Sequence, residues 1–175
     1  MAEVSPEDQA AVSAQLGRAV RGVSAVAHRC DCGLPDVVTT EPRLPDGTPF
    51  PTVYYLTCPR ATSAVSTLES QGLMRQMEAR LQADAELAAK YRRAHEVYLA
   101  DRESLGRVEE IDGISAGGMP DRVKCLHVLV AHSLAASEGV NPFGDEALSL
   151  LADLLGTTDA WGGTGRCVDI HDEEG

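Results

Sequence analysis

Five side chains of this chain, Cys30, Cys58, Cys125, His127 and His132, offer the thiolate and imidazole donors that hold a transition metal, zinc above all. A closed structural zinc site takes four such donors in a tetrahedron. The spacing is not that of a zinc finger: Cys30 and Cys32 are separated by one residue, and the remaining donors come from far along the chain. Cys125, Lys124 and His127 lie in one short segment that also suggests a nucleophilic thiol, its ionisation eased by a neighbouring base or cation. Adjacency in sequence does not give contact on a helix, however, and no third group that would orient the imidazole stands out. The plain alternative is that Cys125 is an ordinary buried thiol and that both imidazoles are hydrogen-bonded inside the protein.

The same segment carries a second kind of chemistry. Ser115-Ala116-Gly117-Gly118 before a helix start would turn backbone N–H groups toward an anion, with Arg122 and Lys124 close by. The spacing is not that of a P-loop. A phosphorylated or carboxylated small molecule is the ligand class expected of a seat at Gly117, Gly118, Arg122 and Lys124, and a tight turn into a capped helix is the bland counterpart.

The elements that position these groups follow from periodicity. Ser5-Pro6-Glu7-Asp8 opens a helix, with Ser5 at the N-cap and Pro6 at the first helical position, and Ala11, Val12, Leu16 and Val20 extend it toward Arg21-Gly22. Val23 to Ala27, Val37 to Thr40 and Val53 to Thr57 read as strands, with Asp46-Gly47 the strongest hairpin signal between them. The hairpin geometry could bring Cys30 and Cys32 near Cys58. From Thr62 the period becomes helical, giving one helix through Leu81, interrupted near Gly72, and a second long one through Leu99. A buried helix from about Pro120 carries Leu126, Val128, Leu129, Val130, Ala131 and Leu134 around nearly its whole circumference, and Glu146 to Leu155 forms a last amphipathic helix. On a regular helix Cys125 and His132, seven residues apart, share a face, whereas His127 sits roughly 200° round from Cys125. Helix geometry therefore pairs Cys125 with His132.

These elements predict one α+β domain over residues 1–155, a small antiparallel sheet from the N-terminal third packed against four or five helices, with an acidic, glycine-rich and disordered tail over 156–175. The 175 residues are enough for a real core. A formal charge of −12 argues against binding a phosphate backbone, and Lys90, Arg92 and Arg93 read as the solvated face of a helix. No apolar run is long enough to cross a bilayer, and the acidic start Met1-Ala2-Glu3-Val4 carries no secretory pattern, so the expectation is a cytoplasmic protein with reduced thiols.

Asp46-Gly47-Thr48-Pro49-Phe50-Pro51-Thr52, Tyr55-Leu56-Thr57-Cys58-Pro59, Val123-Lys124-Cys125-Leu126-His127, Asn141-Pro142 and Gly144 together resemble a bacterial family catalogued as domain-of-unknown-function family 501, over roughly Cys30 to Leu155. The resemblance implies that Cys30, Cys58-Pro59 and Lys124 to His127 are family features. It implies less for Cys32, where members often carry an aromatic. It thus favours Cys30, Cys58, Cys125 and His127 as ligands, against the helix-face pairing with His132. The leading expectation is a small metal-binding protein. An enzyme or sensor for an anionic small molecule, and an interaction module that docks a protein partner, are the competing ones.

Overall fold

A computed structural model describes residues 2–157 and 159–170. The elements run β1 (Ala2–Glu3), α1 (Pro6–Leu16), β2 (Val23–Arg29), β3 (Pro35–Thr40), β4 (Tyr54–Leu56), α2 (Pro59–Glu69), α3 (Leu73–Ala83), α4 (Ala85–Glu103), α5 (Leu126–Ala135) and α6 (Pro142–Leu155), with short 3-10 turns at Glu109–Ile111 and Asp159–Gly162. The four strands form one antiparallel sheet in sequence order. The α+β class read from the sequence is therefore what the chain adopts.

β3 explains the layering. All six of its residues are buried, which requires cover on both faces of the sheet. On one face Val38 lies with α1, which supplies buried Ala11 and Val12. On the other, Val37 joins the main core built from α2, α4, α5 and α6. Ser5 opens α1 as its sequence requires, its Oγ accepting from the Asp8 amide at 3.1 Å. The helix stops at Leu16 rather than near Arg21, because Gly17 takes the left-handed conformation and its N–H returns to the Ser13 carbonyl. Asp8 then clamps Arg29 of β2 with both carboxylate oxygens, at 2.9 and 2.7 Å, fixing α1 across the sheet.

The helical stretch after Thr57 holds three helices where periodicity suggests two. Gly72 is left-handed and separates α2 from α3; Asp84 is extended and accepts the Glu86 and Leu87 amides, separating α3 from α4. Tyr98 of α4 reaches the strand layer, its hydroxyl accepting from the Val53 amide at 2.9 Å.

The segment before α5 departs most from expectation. The helix begins at Leu126, not near Pro120, and Cys125 is its extended N-cap. Gly117 and Gly118 both have positive φ and form a turn closed by Lys124 N–H to the Gly117 carbonyl and Arg122 N–H to the Gly118 carbonyl, each 2.8 Å. A side chain at Gly118 would meet the Arg122 backbone within 3 Å. Two glutamates take the amides that a longer helix would have used: Glu78 accepts from Val123 at 3.0 Å and Glu69 from Leu126 at 2.9 Å.

His132 lies on α5 in the core with no exposed surface. Asn141 accepts the Gly144 amide through Oδ1, so its Nδ2 donates to His132 Nδ1 at 3.1 Å and the ring proton sits on Nε2, which has no hydrogen-bond partner among the described residues. Tyr54 stacks on the imidazole and Tyr98 stands edge-on to it at 5.1 Å between centroids. Burial pushes the imidazole pKa down to about 4. Above the unfolded value near 6.5 the ring is neutral in both states; as pH falls from there toward 4 the unfolded chain takes up a proton the folded one refuses, and stability drops by up to about 3 kcal/mol. Urea unfolding from pH 7 to 4 is expected to show this loss in the wild type and a shallower decline in His132→Gln. Equal slopes in the two proteins would remove His132 as the cause.

Candidate metal centre

α2 presents Thr62, Ser66 and Glu69 at helical spacing along one side, bordering the face that buries Ala61, Ala64, Val65 and Leu68. His127, in the first turn of α5, lies along that polar side. Its Nε2 is 3.2 Å from the Thr62 carbonyl and 3.3 Å from Ser66 Oγ. A carbonyl only accepts, so Nε2 carries the proton and Nδ1 is left with its lone pair. Nδ1 faces Glu69 Oε1 at 3.2 Å and Cys125 Sγ at 3.9 Å. One sulfur, one imidazole nitrogen and one carboxylate oxygen thus lie within 4.8 Å of one another, all on half-buried residues.

The Cys125–His127 contact exists because Cys125 is not helical. Its extended backbone, φ −151° and ψ 110°, swings the sulfur back toward the residue two positions on. The helix-face pairing of Cys125 with His132 assumed a regular helix through both. From Cys125 to His132 the chain rises about 10 Å along α5, and His132 is held elsewhere by Asn141.

Electrostatics follows the geometry. Burial opposes ionisation of Cys125, but His127 and the nearby Val128 amide outweigh it and leave the thiol pKa below its ordinary value. The Cys125 sulfur raises His127, against desolvation, with Glu69 assisting. In a proton relay the imidazole would turn one nitrogen to the thiol and the other to the carboxylate. Here both converge on Nδ1 while Nε2 is taken by a carbonyl. That convergence suits a single cation held among three donors, with the Thr62 carbonyl fixing the tautomer from behind.

Cys30 and Cys58 belong to a different place. Cys58 precedes α2 and Glu69 closes it, so about 16 Å of helix separates them. Burial pushes both Cys30 and Cys58 up to about 12. Their neighbours are Cys32 and Cys167. The anion-seat residues are arranged for closure of a turn: Gly117 and Gly118 lie well before the helix start, and Arg122 is held by Glu78 at 2.9 Å. Lys124 is exposed. Sequence reasoning missed Glu69 because a Thr62, Ser66, Glu69 stripe beside an apolar face reads as solvent-facing.

A family model described as protein of unknown function (DUF501) matches residues 26–149, well over half of the chain, and the chain belongs to that family. No curated protein and no solved structure matches it. Among the described residues, no helix is long and apolar enough to cross a membrane.

Glu69 also serves the fold through the Leu126 amide. Glu69→Ala is expected to cost about 1–2 kcal/mol in urea unfolding of the metal-free protein, and Glu69→Gln, which keeps an acceptor, clearly less. Indistinguishable midpoints for the two variants would show that the amide contact contributes nothing.

Proposed function

We propose that this member of the family binds a divalent metal of the zinc class through Glu69, Cys125 and His127, a site whose three protein donors leave a coordination position open. The convergence of sulfur and carboxylate on one imidazole nitrogen carries the reading. Mixed sulfur, nitrogen and oxygen donors fit a borderline ion such as Zn²⁺. When the ring takes up a second proton, that proton sits on Nδ1 among the same groups, which is why the thiol is shifted down and the imidazole up. Metal binding displaces the thiol proton, and the Nδ1 proton wherever the ring is charged.

An open position on a zinc-class ion polarises whatever oxygen it receives and lowers the pKa of a bound water. What the chain's own residues do is narrower: Glu69 and Cys125 supply negative charge, His127 supplies a tautomer fixed by Thr62, and partial burial keeps the donors gathered.

Zinc titration of the untagged, chelator-stripped protein by calorimetry is expected to give tight binding that weakens steeply between pH 7.5 and 5.5, because protons compete for Cys125 and His127. His127→Ala and Cys125→Ser are each expected to lower the affinity at this site at least tenfold, with folding unchanged by circular dichroism. Zinc binding that is the same in both variants and the wild type would refute the site.

A further inference from the structure

The other four cysteines gather at the opposite end of α2. In the sheet, Arg29 pairs with Pro35 and Leu56 with Val37. Thr57 N–H donates to the Asp36 carbonyl at 2.8 Å, which carries the β3–β4 ladder one step further and sets Cys58 opposite Pro35. Cys30 follows Arg29 on the other side of the same residue. The two thiols thus flank the start of β3, and both are buried in the core.

Cys32 sits in the tight turn after β2, where its N–H donates to Cys30 Sγ at 3.4 Å and Gly33 N–H returns to the Cys30 carbonyl. The fourth thiol arrives from the far end of the chain. Gln15 Nε2 contacts Cys167 Sγ at 3.3 Å while also donating to the Pro35 carbonyl at 2.7 Å, so one amide ties Cys167 to the residue between Cys30 and Cys58. Arg60, two residues after Cys58, donates to the carbonyls of Ala160, Thr164, Gly165 and Arg166 at 2.9–3.3 Å. A Cβ at Gly163 would come within 2.3 Å of the guanidinium and would push it off these carbonyls. Trp161, buried and donating to Asp36 Oδ2 at 3.3 Å, anchors the approach.

The neighbour relations among the thiols close a ring: Cys30 with Cys32 and with Cys58, Cys58 with Cys167, and Cys167 with Cys32. We propose that Cys30, Cys32, Cys58 and Cys167 form a second, closed metal centre, a tetrathiolate site for a zinc-class ion that clips the C-terminal segment to the end of the sheet. The sulfurs are less tightly gathered than the donors at Glu69: no three of them lie within 4.8 Å of one another. Sulfurs bound to one zinc stand about 3.8 Å apart, as tetrahedral geometry with bonds near 2.3 Å requires. The half-buried Cys32 and Cys167 make the closing rotation, while Cys30 and Cys58 are held by the core. Four thiols bind one dication as thiolates and release four protons to solvent, leaving a formal charge of −2 beside the Arg60 guanidinium. All four positions are filled by protein, so this centre is structural where the Glu69 site is open. Its loop closure spans more than a hundred residues, the regime in which a clip removes most entropy from the unfolded chain.

The test uses the full chain, untagged and purified under reducing conditions, with zinc measured by elemental analysis after dialysis. The wild type is expected to hold two equivalents, Cys32→Ser and Cys167→Ser one each, and Cys125→Ser one. If the Glu69 reading fails and this one holds, the wild type holds a single equivalent that Cys167→Ser removes and Cys125→Ser does not. Trypsin gives a second readout: the Arg166–Cys167 bond is expected to resist cleavage in the zinc form and to open at least tenfold faster with chelator or in Cys167→Ser. Zinc content unchanged by both Cys32→Ser and Cys167→Ser would overturn the proposal. So would a mass two hydrogens short that maps to a Cys32–Cys167 disulfide in the reduced preparation.

Discussion

The carboxylate of Glu69 decides where α5 starts. It stands at the last residue of α2 and takes the first amide of the next core helix, Leu126, at 2.9 Å. A helix beginning there leaves Cys125 extended rather than wound into a turn, and the extended backbone lets its sulfur meet His127. Had the helix run back to Pro120, Cys125 and His127 would point to nearly opposite sides. Glu78 reinforces the choice one step earlier by taking the Val123 amide and gripping Arg122. Two exposed-looking acids therefore set the register of the most buried helix of the molecule.

Cys58 and Cys125 share a structural position although they lie at different sites. Each is the N-cap of a core helix, and neither makes the side-chain cap bond that Ser, Asp or Asn would make. A thiol at that position accepts poorly as a cap, yet the positive end of the helix favours its ionised form. The stability forgone at two helix starts is consistent with sulfur being placed there for chemistry. α2 links the two places, with Cys58 entering it and Glu69 leaving it.

Much of this was readable in the residues. The three strands fell where β-branched runs sit between turn residues, and Ser5-Pro6 marked α1 because capping is local. Boundaries set by tertiary partners were not readable. Nothing in Leu68-Glu69-Ser70 says that the acid caps a helix more than fifty residues away, so the start of α5 stayed hidden, and Cys125 with His127 was favoured by the family resemblance alone, against helix geometry. His132 looked like a ligand because it is an imidazole on a buried helix; Asn141, nine residues on, holds its Nδ1 instead. The glycine content of the C-terminal segment conceals Trp161, whose burial against Asp36 is a matter of one side chain rather than of composition.

The grip of Arg60 on four carbonyls also has a history in time. Its acceptors are made a hundred residues or more after it, so during synthesis that guanidinium has none of them until the C-terminal segment follows. The C-terminal segment docks through these backbone carbonyls and through the Trp161 side chain, its one large anchor. The end of the sheet that holds Cys30 and Cys58 thus takes part of its cover from residues more than a hundred positions further along the chain.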